Sequence, residues 1–87
     1  MLQHFTITNW KTGNHELEIY IETKNFDFDN VKVYDMMFNP ITLNDRVLDI
    51  CKREILHELH FGNKISTYWK DLKVKMGNSI KTPDFLL

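Results

Sequence analysis

The sequence has few of the residues that crosslink a chain or interrupt its regular structure. It contains one cysteine, Cys51, with two prolines and three glycines, and it has no alanine at all. One cysteine excludes an internal disulfide, so we expect a protein of a reducing compartment, the cytoplasm. No apolar run approaches the roughly 18 residues that a membrane-spanning helix needs, so we expect no membrane partner.

The composition is also skewed between residue types. Gly, Ala, Arg and Pro together number seven, whereas Phe, Tyr, Met, Ile, Asn and Lys together number 38. Such a skew is typical of proteins from AT-rich genomes, including those of many phages. If the protein is phage-encoded, its expected location is the host cytoplasm.

What is present is typical of a small globular protein. The chain has 87 residues, 43% of them hydrophobic and 13% aromatic, which favours a single folded domain. The formal net charge of -1 gives no overall attraction to nucleic acid or membranes. Residues 64–81, however, carry five lysines against the single acid Asp71, which makes a mildly basic segment.

Three segments show the alternation of a β-strand. Residues 3–10 and 15–22 alternate apolar and polar side chains around a Gly13-Asn14 turn, which predicts a hairpin. Residues 31–36 form a third, shorter alternating segment. The polar loop before it contains Phe26 and Phe28, which we expect under the edge of the sheet.

Residues 42–60 have the clearest helical pattern of the chain. Apolar side chains recur every three to four positions, which places them in one stripe along a helix. The stripe consists of Val47, Leu48, Cys51, Ile55 and Leu59. Thr42 is the predicted N-cap, and Gly62 marks the predicted end.

Residues 64–72 favour a shorter second helix, because Ile65, Trp69 and Leu72 fit one helical face. The alternation of Leu72, Val74 and Met76 with lysines fits a strand, so residues 70–76 stay open between the two. The predicted fold is α+β: a mainly antiparallel three-stranded sheet packed by one long and one short helix. Residues 1–81 form the predicted domain, and residues 82–87 an extended tail.

Catalytic and metal-binding patterns are weak. His57 and His60 lie three apart on the predicted helix, but Cys51 points away from them, and a zinc site needs three or four convergent ligands. Cys51 lies in the middle of the apolar stripe, as a buried small side chain would. We therefore expect no enzyme, no metal and no cofactor.

Two features favour a protein partner. Ile50 and Leu56 lie outside the apolar stripe on opposite sides of the helix. Either neighbouring elements cover them, or one of them contacts a partner or a second copy of the chain. The chain also ends in an acid followed by three large apolar residues, Asp84, Phe85, Leu86 and Leu87, and such residues suit a partner's pocket.

These last residues resemble the sliding-clamp-binding C-terminal tails of T4-type phage late-transcription proteins, which end in an acidic residue and a Phe/Leu cluster. The resemblance covers residues 82–87, and it implies that residues 84–87 are the anchors on the clamp. A tail folded back on its own core is the alternative.

The leading functional hypothesis is a non-catalytic protein-binding factor that inhibits or modulates a host, replication or transcription protein. The alternative is a nucleic-acid-binding module, because Tyr68, Lys70, Lys73 and Lys75 combine a ring for stacking with charge for phosphates. A second alternative is a homodimeric structural or interaction protein.

Overall fold

The first two alternating segments form the predicted hairpin. The structure, a computed structural model, describes all 87 residues apart from the side chain of Phe26. Strand β1 (Leu2–Asn9) pairs antiparallel with β2 (His15–Glu22), and Gly13 takes a positive φ of 74° in the turn between them. Glycine suits this position because it adopts positive φ without steric cost.

The third strand is shorter than its alternation predicts. Strand β3 (Lys32–Tyr34) pairs antiparallel with β2 and gives way at Asp35 to a tight turn. The Asp35 carboxylate accepts hydrogen bonds from the backbone amides of Met37 and Asn39, both at 2.9 Å. These bonds draw the chain out of the strand, because a short acidic side chain competes for backbone donors.

The N-cap of the helix is Asn44, two residues later than the predicted Thr42. The Asn44 side chain accepts hydrogen bonds from the amides of Arg46 and Val47, so helix α1 covers Asp45–Phe61. Asn ranks at least as high as Thr among N-cap residues because its carbonyl oxygen reaches these amides. Gly62 ends the helix in the left-handed conformation at φ 71°, as predicted.

The prediction of a second helix over residues 64–72 is wrong. Strand β4 (Ser66–Trp69) and strand β5 (Leu72–Ile80) pair antiparallel across a two-residue turn, Lys70-Asp71. Strand β5 also pairs with β1 along most of its length. The alternating pattern outweighs the helical one because β1 would otherwise present an unpaired edge in the middle of the fold.

The architecture is therefore α+β with a five-stranded sheet, not a three-stranded one. Within the residues that the structure describes, all neighbouring strands are antiparallel, in the order β3-β2-β1-β5-β4, and one α-helix packs on the sheet. The prediction missed the two strands that come last in the chain. No helix in the described part of the chain is long and apolar enough to cross a membrane.

The core lies between α1 and one face of the sheet. Alternate residues of the three central strands point into it, and Val47, Ile50, Cys51 and Ile55 of the helix meet them. Leu59 is predicted on this face but is 52% exposed, whereas Ile50 is predicted outside it but is buried. The last turn of the helix extends past the core, because Leu59 and Phe61 are both largely exposed. Phe28 packs against the core, and the prediction for Phe26 lies outside the described residues.

The other face of the sheet carries no α-helix in the described part of the chain, and we call it the open face. Strand alternation places His4 and Tyr20 here, with their ring centroids 5.5 Å apart. Gly77 lies in a bulge of β5 opposite His4, where an added Cβ would come within 2.6 Å of the His4 ring. The glycine therefore leaves room for the His4 ring on the open face.

Candidate functional site

The two predicted helix contacts have different surroundings. Ile50 is only 3% exposed and belongs to the core, so its side chain is unavailable to a partner. The prediction that Ile50 lies outside the core is wrong, because the helix packs on the sheet with Ile50 facing the core. Leu56 is exposed, as are Leu59 and Phe61 nearby, so Leu56 stays a candidate contact.

Two distant segments meet at the edge of the open face through aromatic contacts. Phe38, in the turn after β3, stacks on Tyr20 with centroids 5.5 Å apart and ring planes 13° from parallel. Phe85 meets Phe38 edge-on, at a centroid distance of 5.7 Å. We use the name apolar patch for the exposed side chains of Met37, Phe85 and Leu87 together with the half-buried ring of Phe38.

The turn that carries Phe38 is held in place by Asp35. Its carboxylate accepts three hydrogen bonds, two from backbone amides and one from the Asn39 side chain at 3.3 Å. The bond from the Asn39 amide is the main cause of the lowered pKa of Asp35. Phe38 takes a positive φ of 63°, which is uncommon for a bulky residue and is maintained by this turn and by stacking.

Residues 82–87, predicted as an extended tail, are folded against the sheet instead. Thr82 is buried, and a 3-10 turn over Asp84–Leu86 closes through the Leu86 amide and the Pro83 carbonyl at 3.0 Å. Leu86 points into a cavity of about 230 Å³ that Glu22 and Lys32 also line. Phe85 stays 72% exposed, and Asp84 and Leu87 are exposed as well.

The predicted nucleic-acid-binding residues lie on two different faces of the sheet. Tyr68, Lys73 and Lys75 share the open face, and Tyr68 pairs with Lys73 across β4 and β5. Lys70 does not join them, because its ammonium lies 4.6 Å from the ring of Trp69, on the helix side of the sheet. Trp69 itself is half-buried against the core.

Trp10 joins this group, although it was not among the predicted site residues. It is 48% exposed at the end of β1, and its ring lies edge-on to Tyr68 at a centroid distance of 6.2 Å. We use the name aromatic–lysine patch for Trp10, Tyr68, Lys73 and Lys75. The alternation of β1 contained a signal for Trp10, since it places residues 4, 6, 8 and 10 on one face.

Glu54 is a second residue that is absent from the predicted sites. It lies fully buried on the core side of α1, and neither carboxyl oxygen has a hydrogen-bond partner among the described residues. Burial raises the pKa of Glu54 to about 8, and the nearby backbone of Thr67, which does not meet hydrogen-bond geometry with the carboxyl group, lowers it only in part. Burial, with the Glu54 charge, also raises the pKa of Cys51. A raised thiol pKa disfavours the thiolate that a nucleophile needs.

The histidines of α1 are spread along its exposed end. His57 lies against Phe61 with ring centroids 4.8 Å apart, and its Nδ1 is 3.3 Å from the carbonyl oxygen of Asn63. Across the described residues, no three His, Cys, Asp or Glu side chains are grouped so that they could hold a metal ion.

The arrangement therefore presents two surfaces suited to binding. The apolar patch offers aromatic and aliphatic side chains beside the acid Asp84. The aromatic–lysine patch offers two rings beside two cations. The chain matches no protein-family model, no curated protein and no solved structure.

Proposed function

We propose that this protein is a non-catalytic binding factor that modulates another protein through the apolar patch. The observation that carries the proposal is the contact between Phe38 and Phe85, which leaves 72% of Phe85 exposed to water. Large apolar groups that stay exposed together are typical of contact sites, because burying them against a partner is favourable.

The geometry of the patch favours tight contact for a second reason. Asp35 holds the turn of Phe38, and the 3-10 turn holds Phe85, so both rings are positioned before a partner arrives. Preorganised side chains lose less conformational entropy on binding. Aromatic side chains are also enriched among the residues that dominate binding energy.

The partner would present an apolar pocket with a basic rim. Asp84 is exposed next to Phe85, and it makes no ion pair with the described side chains. A lysine or arginine beside the pocket would complement its charge and favour correct encounters. Because residues 84–87 resemble sliding-clamp-binding tails, a phage sliding clamp is the first purified partner to test.

The test compares two phenylalanines of equal exposure. Phe85 is 72% exposed in the patch and Phe61 is 71% exposed at the end of α1, so each can be changed to Ala without opening the core. We expect Phe85→Ala to weaken binding to the clamp, or to a partner isolated from host lysate, by about tenfold or more. Phe61→Ala should bind like the unchanged protein.

Two results would count against the proposal. One is failure to recover any partner with the unchanged protein. The other is loss of binding in Phe61→Ala while Phe85→Ala binds normally, which would move the site to the helix. Light scattering that shows a monomer at high concentration would exclude the alternative homodimer through Leu56.

A further inference from the structure

We propose that the aromatic–lysine patch is a second site, which binds single-stranded nucleic acid by base stacking and phosphate contact. The site is separate from the apolar patch. It lies at the end of the sheet where the β1–β2 and β4–β5 turns meet, whereas the apolar patch lies beside β2 and β3.

The first argument is the fixed orientation of Trp10. Its indole Nε1 donates a hydrogen bond to the carbonyl oxygen of Lys70 at 2.7 Å, and its backbone amide donates to that of Asp71 at 2.9 Å. The indole has no other donor, so its orientation is set while its exposed surface stays available. A ring held in this way suits stacking, which needs a flat surface and no particular base.

The second argument is the position of Tyr68 beside it. Tyr68 is 60% exposed on the edge strand β4, and the planes of the two rings stand at 83° to each other. Each ring therefore offers a surface in a different direction, as two neighbouring unstacked bases would need. A duplex keeps its bases stacked inside, so these rings favour a single strand.

The third argument is charge. Lys73 and Lys75 are two positions apart on β5, so both point to the open face, and the Lys73 ammonium lies 5.8 Å from the Tyr68 ring centroid. Lys11, at the rim of the patch, forms an ion pair with Asp71 at 3.0 Å and so adds little net positive charge. The two β5 cations therefore give the patch a local positive charge that complements phosphate, although the net charge of the chain is -1.

The register of the sheet also limits the extent of the site. Thr6 on β1 lies between Lys75 on β5 and Glu18 on β2. The positive region therefore ends at β1, because the next strand brings a carboxylate onto the same face. This width suits one strand of nucleic acid.

The experiment measures fluorescence anisotropy of labelled 12-nucleotide oligo-dT and oligo-rU with the full chain in 50 and 200 mM salt. We expect binding that weakens about sevenfold over this range, since two phosphate contacts on a single strand give a slope of about 1.4 in the logarithmic plot. Inorganic polyphosphate of similar charge should compete poorly, because it has no bases to stack.

Matched variants separate charge from stacking. Lys73→Glu with Lys75→Glu should lower affinity at least tenfold in 50 mM salt, whereas Lys24→Glu with Lys32→Glu, exposed residues away from the patch, should lower it much less. Tyr68→Ala should lower affinity about tenfold, and Tyr68→Phe should keep it, since the ring is retained. Phe85→Ala should bind nucleic acid normally, which separates this site from the proposed protein contact.

Any of three results would overturn the inference. The first is no binding of either oligonucleotide in 50 mM salt. The second is unchanged affinity in both the double lysine variant and Tyr68→Ala, with circular dichroism showing that both are folded. The third is polyphosphate competing as well as the oligonucleotides, which would reduce the patch to a general anion contact.

Discussion

At the scale of single residues, the side chain of Glu54 is in an environment that opposes its charge. The carboxyl group is buried between α1 and the sheet without a hydrogen-bond partner among the described residues. Water would stabilise the carboxylate, and the core does not, so the folded protein favours the protonated form. Glu54 therefore links folding to pH.

We expect the protein to become less stable as pH rises from about 5 to 8. The pKa of Glu54 is about 8 when folded, against a usual value of 4.5, so between these values the folded state binds more protons than the unfolded state. Stability then falls as pH rises, by about 1.4 kcal/mol for each unit of pKa difference, and the loss is complete above the folded pKa.

The measurement is urea unfolding of the unchanged protein and of Glu54→Gln at about pH 5 and about pH 8. Glu54→Gln should remove most of the pH dependence, because the amide does not titrate. Glu58→Gln, one turn later and half-buried on the same helix, is the matched control and should keep it. An equal pH dependence in Glu54→Gln and the unchanged protein would contradict this prediction.

Among the secondary-structure elements, α1 begins where a side chain caps its first backbone amides. Thr42 and Asn44 are both residues that commonly cap helices, and the sequence does not decide between them. In the structure the Asn44 side chain accepts from two amides of the first turn, whereas Thr42 lies exposed before the helix. The single residue between them, Leu43, is buried in the core and anchors the start of the helix there.

We expect Asn44→Ala to destabilise the protein by about 1 kcal/mol, because two amides of the first turn lose their acceptor. In a domain of this size that corresponds to a fall of about 4–8 °C in the unfolding midpoint. Thr42→Ala, the matched control, should change the midpoint little. Thermal unfolding followed by circular dichroism makes the comparison, and an equal or larger fall in Thr42→Ala would show that the cap is misplaced.

At the scale of the whole molecule, strand β5 completes the sheet. It lies between β1 and β4, and it pairs with β1 although the paired residues are some 60 to 80 positions apart in the chain. Val74 and Met76 of β5 are buried in the core that α1 covers. Because such distant pairing closes a long loop, we infer that it forms late in folding.

A chain that ends at residue 63 should therefore not fold, although it contains all three predicted strands and the long helix. Without β5, one edge of β1 is unpaired and the core loses Val74 and Met76. We expect no cooperative thermal transition for this shortened chain, and a normal one for a chain that ends at Pro83. A cooperative transition in the shorter chain would show that the three-stranded sheet is stable alone.

Elements with local sequence signals can be predicted from the chain before its fold is known. The alternation and the Gly13 turn predicted the β1–β2 hairpin, and the apolar spacing predicted most of α1 with Cys51 buried. These features depend on residues close together in the chain, and neighbouring residues carry the information that specifies them. The sequence also marks Tyr68, Lys70, Lys73 and Lys75 as one basic and aromatic segment, but it does not show which of them share a face.

The contacts between distant segments are visible only in the folded molecule. The tertiary structure turned an ambiguous segment into β4 and β5, because β1 offered a partner edge that no local pattern reveals. It also brought Trp10 to Tyr68 and Phe85 to Phe38, and it buried Glu54. Contacts between residues far apart in sequence follow from how the whole chain packs, so both proposed binding surfaces became visible only in the folded molecule.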